Sequence, residues 1–274
     1  MPELPEVETV KNYLEPLLKG QSFAEIEILN PNLRIPVPDD LSEKLANHKI
    51  EQVTRRAKYL AIYLENNSVL VIHLGMTGKI FAHQELPDTD KHDHLLFRLN
   101  NGDYLRFNDV RKFGLVTYLN DNDLTKSKLF SHLGIEPLSD EFNGKYLREI
   151  SKNSNLEIKK FIMEQKNVVG VGNIYASEAL FLSRINPTRP SSKISQKDTD
   201  NLVKNIKGVL ELAISKGGST IKDYRLVTGE SGYFQHEFKT YGKENNPCKI
   251  CSTPIKKIVQ GGRSTFYCPK CQKN

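Results

Sequence analysis

Cys248-x₂-Cys251-x₁₆-Cys268-x₂-Cys271 is the feature that leaves this chain the fewest choices. Each CxxC pair chelates from a tight turn. The sixteen intervening residues are enough for a β-hairpin that brings the two pairs around one tetrahedral ion. Four thiolates leave no open position, so the expected ion is a single structural Zn²⁺. A redox CxxC is the competing reading, but it does not call for a second pair at ribbon spacing. The hairpin is expected to present Gly261-Gly262-Arg263-Ser264-Thr265 at its tip. An arginine among small residues suits a phosphate contact, although that motif alone reads equally as a solvated surface arginine.

Charge distribution sharpens this. Residues 239–274 carry eight Lys/Arg against one acid, Glu244, a surplus of seven, while the other 238 residues sum to −1. A zinc site of four thiolates contributes −2, which leaves the segment near +5. A basic tail on a neutral body points to nucleic acid. No window approaches the roughly 20 apolar residues of a membrane span, and the acidic start lacks the apolar stretch of a signal peptide. A cytoplasmic protein with no membrane partner is expected, and in that compartment a disulfide framework would be unusual.

At 274 residues, two domains are expected. Val7, Val10, Leu14, Leu17 and Leu18 repeat at helical spacing after Pro5, with Gly20 as the stop and Pro16 expected to kink the helix or end it early. From residue 22 to residue 119 the pattern is that of short strands: 23–29, 59–64, 68–74, 95–99, 104–108 and 116–119. Asn-Asn, Asn-Gly and Gly turns separate them, as in an antiparallel sandwich or barrel. A polar stretch at 134–144 reads as a linker, and the period then turns helical over 147–151, 157–165, 173–183 and 196–215. Asn173 is a plausible N-cap, and Ser195 with Asp198 resembles a capping box. The expected fold is therefore α+β. Residues 1–133 form an N-terminal antiparallel β-sandwich with flanking helices, 134–146 a linker, 147–238 a helical domain and 239–274 the Cys₄ ribbon.

The chain opens Met1-Pro2-Glu3-Leu4-Pro5-Glu6. Pro2 follows the initiator Met, whose removal exposes a secondary amine. Attack by that amine on an electrophilic carbon yields an iminium, which stays cationic with no proton to lose and so acts as an electron sink. A free α-amine titrates near pH 8, and Glu3 and Glu6 lie close enough to move protons. A helix starting here would leave Pro2 free at its end. The plainer reading is a processing signal followed by an acidic helix start.

Weaker signals follow. Met76, in His73-Leu74-Gly75-Met76-Thr77-Gly78, and Phe113, in Arg111-Lys112-Phe113-Gly114, are large apolar residues on glycine-flanked turns. Such residues are candidate wedges between bases, with Arg111 placed to fill the space of an extruded base. Core packing is their commoner use. Gly170-Val171-Gly172-Asn173 before a helix suits an anion, but lacks the third glycine of a dinucleotide fingerprint. Lys58, expected to begin a strand beside Arg55 and Arg56, suits a phosphate patch or a solvated edge.

Together these residues resemble one family along essentially the whole chain: the bacterial formamidopyrimidine-DNA glycosylases, bifunctional enzymes of base excision repair. The resemblance runs through Pro2-Glu3-Leu4-Pro5-Glu6-Val7-Glu8-Thr9, Arg56-Ala57-Lys58-Tyr59-Leu60, His73-Leu74-Gly75-Met76, Lys91-His92-Asp93-His94, Arg111-Lys112-Phe113-Gly114, Gly170-Val171-Gly172-Asn173-Ile174-Tyr175-Ala176 and the Cys₄ ribbon with Arg263. It implies that Pro2 attacks C1′ of a damaged nucleotide, that Glu3 donates the proton that opens the sugar, and that Glu6 supports both. Lys58 would contact phosphate and assist β-elimination, and Arg263 would serve δ-elimination. Met76, Arg111 and Phe113 would fill the hole left by the flipped base, in keeping with the physics of base flipping. His92, Arg111, Gly172 and Asn173 would bind DNA, with Asn173 in a helix–two-turn–helix motif, and the loop around 217–235 would cap the lesion. Cys248, Cys251, Cys268 and Cys271 would hold one Zn²⁺. The implied substrate is double-stranded DNA with oxidised purines or abasic sites, handled by a monomer near the bacterial nucleoid.

Departures are small. Lys112 stands where many relatives carry arginine, and Lys243 follows Tyr241-Gly242 where arginine is common. Both keep the charge and lose the bidentate fork. Two alternatives remain at this point: the sister group resembling endonuclease VIII, which takes oxidised pyrimidines, and a non-enzymatic zinc-ribbon DNA-binding protein. Leu4, where the sister group typically has Gly, favours the purine-directed family.

Overall fold

The computed structural model describes residues 2–219 and 234–273, which fall into two compact units. Among the described residues the first unit holds those up to Ser131 and the segment 216–219, and the second holds the rest.

In the first unit, α1 (Leu4–Leu18) buries Val7, Val10, Leu14 and Leu18, the stripe its spacing dictates. Pro16 does not end the helix early, since α1 continues to Leu18. A missing N–H this close to the end forfeits a single bond. The Gly20 N–H then turns back to the Ile50 carbonyl at 2.8 Å. The strands are β1 (Phe23–Ile28), β2 (Ile50–Arg56), β3 (Tyr59–Leu64), β4 (Ser68–His73), β5 (Lys79–His83), β6 (Asp93–Leu99), β7 (Tyr104–Asn108) and β8 (Leu115–Asn120), with a short helix α2 (Leu41–Leu45) after β1. They form two four-stranded sheets, ordered β1-β6-β7-β5 and β2-β3-β4-β8, with every pairing antiparallel. Both sheets and α1 contribute to one apolar core that includes Phe23, Ile50, Val53, Leu60, Leu95, Phe97 and Phe107. Three elements escaped the sequence pattern. β2 exposes Glu51 and Gln52, β5 is only five residues long, and α2 is a single turn.

The second unit is helical: α3 (Gly144–Ser151), α4 (Ile158–Met163), α5 (Asn173–Ser183) and α6 (Gln196–Ser215). Helix α5 is apolar on nearly every face, with Ile174, Tyr175, Ala176, Ala179, Leu180 and Phe181 all buried, as the central member of a bundle must be. Two turns separate it from α4, giving a helix–two-turn–helix arrangement. Ahead of α6, Asp198 N donates to Ser195 Oγ and Ser195 N to Asp198 Oδ2, a reciprocal cap. The stretch 134–146 is not slack. Gly134 N donates to Gln165 O at 2.7 Å, Ile135 bridges Val168, and Phe142 is fully buried. The hairpin β9 (Lys256–Gln260) and β10 (Arg263–Tyr267) closes the chain, and Ile255 packs with Phe181, Cys248 and Cys268 in a small core of its own. No helix among the described residues is long and apolar enough to cross a membrane.

Candidate active site

The chemistry of the first unit concentrates where α1 begins. Pro2, Glu3 and Glu6 are all buried, so Pro2 is not the freely projecting group expected of a helix end. Glu3 and Glu6 keep only 3% and 2% of their surfaces. Buried carboxylates must be matched by donors. Glu6 Oε2 accepts the Glu3 backbone N–H at 2.7 Å, and Glu6 Oε1 accepts both the N–H and the hydroxyl of Ser219 at 2.8 and 2.9 Å. Gly218 makes that contact possible. Its φ is +77°, and a Cβ there would meet Glu6 Oε1 at 3.1 Å and Cγ at 3.2 Å. One carboxylate thus orders the entry to α1 and holds the chain just before residue 220. Most of the loop expected to cap a lesion, 220–233, lies outside the described residues, as does Met1.

Lys58 lies in the two-residue turn between β2 and β3 rather than at the start of a strand. Its neighbour Ala57 adopts φ +54°, and Arg55 braces the turn by donating to the Ala57 carbonyl at 2.8 Å and to Glu8 Oε2 at 2.6 Å. The Arg55–Glu8 pair ties the turn to α1, so the three cations of this stretch do not form one solvated edge. Lys58 is 8% exposed, and its charge reaches His73. Burial first, then Lys58 and Arg34, pull the His73 pKa down to about 4. That ring is neutral at neutral pH, and its Nδ1 accepts the Gly75 N–H at 3.0 Å.

Met76 is half-buried on the turn after β4, whereas Arg111 and Phe113 are exposed on the turn after β7. The Arg111 guanidinium lies over the Phe113 ring, 5.0 Å from its centre. The two turns touch through backbone. Gly75 has φ +61°, and a Cβ there would come within 2.4 Å of the Phe113 carbonyl carbon, so only glycine fits. His92 precedes β6 and joins the same cluster, its carbonyl accepting the Asp109 N–H at 2.9 Å.

In the second unit Gly172, not Asn173, is the N-cap of α5. As the first helical residue, Asn173 directs its amide sideways to Ser264 O at 3.0 Å and Tyr241 Oη at 3.4 Å. Its Oδ1 accepts from Lys159 Nζ at 2.6 Å, and the same ammonium reaches Thr265 Oγ1 at 2.6 Å. Lys159 is 1% exposed, so these contacts decide whether its burial is tolerated. Arg263 opens β10 and is exposed, and the tip proper is the Gly261–Gly262 turn. Arg263 borders a shallow cleft lined also by Lys159, Lys160 and Glu164, with a net positive charge suited to phosphate. Lys159→Met is expected to lower the stability of this unit by about 1–3 kcal/mol, the cost of buried polar groups left unpaired. Thermal melting checks the loss, and a melt identical to the parent's would show that Lys159 contributes nothing there.

The four cysteine sulfurs lie within 4.8 Å of one another, with Cys248 and Cys271 at 3.9 Å and Cys251 and Cys268 at 3.5 Å. A zinc–sulfur bond of about 2.3 Å makes the edge of a tetrahedron roughly 3.8 Å, so the donor set fits. Its electrostatics also call for a cation. Hydrogen bonds from Thr253 bring Cys251 down to about 6, while burial and then the neighbouring sulfurs push Cys271 up to about 12. Four thiolates cannot coexist here without a divalent charge among them. The site binds one zinc ion, whose part is to join the two CxxC turns that flank the hairpin.

Three family models cover the chain: the formamidopyrimidine-DNA glycosylase N-terminal domain over residues 1–116, the formamidopyrimidine-DNA glycosylase H2TH domain over 133–225, and the zinc finger found in FPG and IleRS over 245–274. The chain belongs to the formamidopyrimidine-DNA glycosylase family. The formamidopyrimidine-DNA glycosylase of Wolbachia sp. subsp. Brugia malayi is 42% identical over 272 residues, covering 99% of this chain and all of that protein. Among solved structures, a Lactococcus lactis Fpg variant in complex with Fapy-dG-containing DNA matches with a TM-score of 0.92 at 34% identity, each chain covered in full. The Lactococcus lactis Fpg complexed with abasic-site DNA matches with a TM-score of 0.91, covering 99% of this chain.

Seen as a formamidopyrimidine-DNA glycosylase, the chain carries supporting residues that its motifs did not mark. Ser219 on Glu6, Asp109 and Thr77 between the two turns, Lys159 on Asn173, and Glu178 are all of this kind. Glu178 accepts the N–H groups of Lys239, Thr240 and Tyr241 at 2.7–2.9 Å. A carboxylate in an otherwise apolar helix was the available signal for Glu178. Ser219 and Thr77 offered none.

Proposed function

We propose that this protein is a bifunctional DNA glycosylase and abasic-site lyase of base excision repair, which excises oxidised purines through a Schiff base on Pro2 and then nicks the strand by β,δ-elimination. The observation that carries the reading is the start of α1, where a proline sits at the second position of the chain beside two buried carboxylates. A secondary amine there becomes a nucleophile once Met1 is removed. Glu3 is the adjacent acid for opening the sugar, and Glu6, held by Ser219, orders the site around it. Lys58, braced on its turn, supplies a cation for phosphate and for β-elimination, and Arg263 a cation for δ-elimination.

DNA contacts fall to His92, Arg111, Gly172 and Asn173, with Met76, Arg111 and Phe113 occupying the space of the extruded base. In this reading residues 1–133 carry catalysis, 134–146 connect, and 147–238 grip DNA with 217–235 over the lesion. Residues 239–274 present the ribbon. The protein acts as a monomer in the bacterial cytoplasm, on the nucleoid. The relatives' complexes with lesion-bearing and abasic DNA support the substrate, and the match to the N-terminal domain model disfavours a bare zinc-ribbon DNA-binding protein.

The test is borohydride trapping on duplexes bearing 8-oxoguanine, an oxidised pyrimidine or an abasic site. A cross-link to 8-oxoguanine DNA that maps to Pro2, in protein lacking Met1 by intact mass, is the expected result. A cross-link mapped to Lys58 with Pro2 unmodified would refute the assignment. Preferential trapping on the oxidised pyrimidine would place the protein with the sister group.

A further inference from the structure

Asp109 is fully buried at the end of β7, and its bonds run to three other stretches of chain. Its Oδ1 accepts the Thr77 hydroxyl and, at 3.3 Å, the Arg111 N–H. Oδ2 accepts the Gly114 N–H at 2.7 Å. Its N–H donates to the His92 carbonyl at 2.9 Å, and its own carbonyl lies 3.1 Å from His94 Nε2. Thr77 completes the pair, since its hydroxyl oxygen also accepts the Arg111 N–H at 3.0 Å. Thr77 follows Met76 directly, and Arg111, Phe113 and Gly114 belong to the other turn. Every partner of the Asp109 carboxylate is a hydroxyl or a backbone N–H, so the pair spends its bonding on loop geometry.

We propose that Thr77 and Asp109 are positioning residues that lock the Met76 turn and the Arg111–Phe113 turn into one rigid wedge, and that this rigidity sets the rate at which a lesion leaves the base stack. The proposal rests on the reading above, in which Met76, Arg111 and Phe113 fill the space of an extruded base. A wedge that unstacks a base pair must resist the stack it opens. Two independently moving turns would yield, whereas two turns fixed to one buried carboxylate would not. Gly75, packed on the Phe113 backbone, leaves them no room to slide past each other. Once the base is out, the bracing matters less, because an abasic site offers no base to evert.

The experiment compares Thr77→Val, which keeps the shape and loses the hydroxyl, with Thr77→Ser, which keeps the hydroxyl. Single-turnover excision is measured on a duplex with 8-oxoguanine paired to cytosine and 2-aminopurine next to the lesion, so that opening of the stack is followed by fluorescence. Cleavage of an abasic duplex is measured in parallel. Thr77→Val is expected to slow both stack opening and excision by roughly ten- to hundredfold, the scale of one lost hydrogen bond to a charged group. Abasic cleavage should lose far less, and Thr77→Ser should recover most of the excision rate. Should Thr77→Val fail to fold, as judged by circular dichroism and thermal melting, Thr77→Ala takes its place in the comparison, and equal losses on the two duplexes in a folded variant would overturn the proposal.

Stack opening at the parent rate in the hydroxyl-free variant, with Met76→Ala and Phe113→Ala slow, would overturn the proposal while leaving the wedge intact. Parent-like rates in Met76→Ala and Phe113→Ala would overturn it through its premise. A parent protein that excises nothing would remove the proposed function itself.

Discussion

Glu3→Gln is expected to slow release of 8-oxoguanine from duplex DNA by about 10²–10⁴-fold, the usual contribution of a positioned acid or base. The substitution keeps the size and replaces the ionisable carboxyl with an amide that cannot give up a proton. Glu3 sits next to Pro2 in the chain and is 3% exposed, so water has little access to substitute for it as donor. A preformed abasic site has no base to expel and already presents an aldehyde to the Pro2 amine, so strand cleavage there should fall far less. Single-turnover rates on the two duplexes separate these stages. Equal losses on both would mean that Glu3 serves the shared Schiff-base steps and is not the acid for base release.

Cys268→Ser is expected to release zinc and unfold the hairpin of β9 and β10, with DNA affinity lost and the first unit still folded. Structural zinc is worth about 10–16 kcal/mol of apparent binding energy in zinc-finger peptides, far more than a five-residue hairpin gains from its own ladder. Cys268 is fully buried and also accepts the Cys271 N–H at 3.4 Å, so a serine there cannot replace the ligand. Detaching the hairpin removes Arg263 and the Thr265 hydroxyl that Lys159 bonds. Zinc content, DNA binding and far-ultraviolet circular dichroism measure the three effects. Four thiolates would fill the coordination shell and leave no position for a water, so base excision should depend on the site only through binding. Full affinity in the metal-free variant would show that the ribbon takes no part in gripping DNA.

The strand Tyr59–Leu64 and the helices Asn173–Ser183 and Gln196–Ser215 coincide with their sequence patterns, because each is long or apolar enough for its own period to decide it. β2 does not, since its outward face is polar and only Ile50 and Val53 mark the inner one. Pro16 misled for a related reason, as a proline near a C-terminus costs a single bond while Leu18 is held by the core. At the candidate site, motifs showed which residues carry chemistry and did not show what holds them. Asn173 has the composition of an N-cap, but Lys159 Nζ and the Ser264 carbonyl, both from elsewhere in the chain, compete successfully for its amide.

By itself the sequence determined the zinc ribbon, the helical and strand halves, the opening Pro2-Glu3 pair and the family, because these rest on covalent order, ligand identity and local period. Tertiary structure alone decided that Glu6 holds Ser219, that the Lys58 turn is anchored through Arg55 to Glu8, and that Asp109 joins the turns of Met76 and Phe113. Each joins residues distant along the chain, and no periodicity encodes such a pairing. It is set by which polar groups the packed core leaves buried, and by the cost of leaving any of them without a partner.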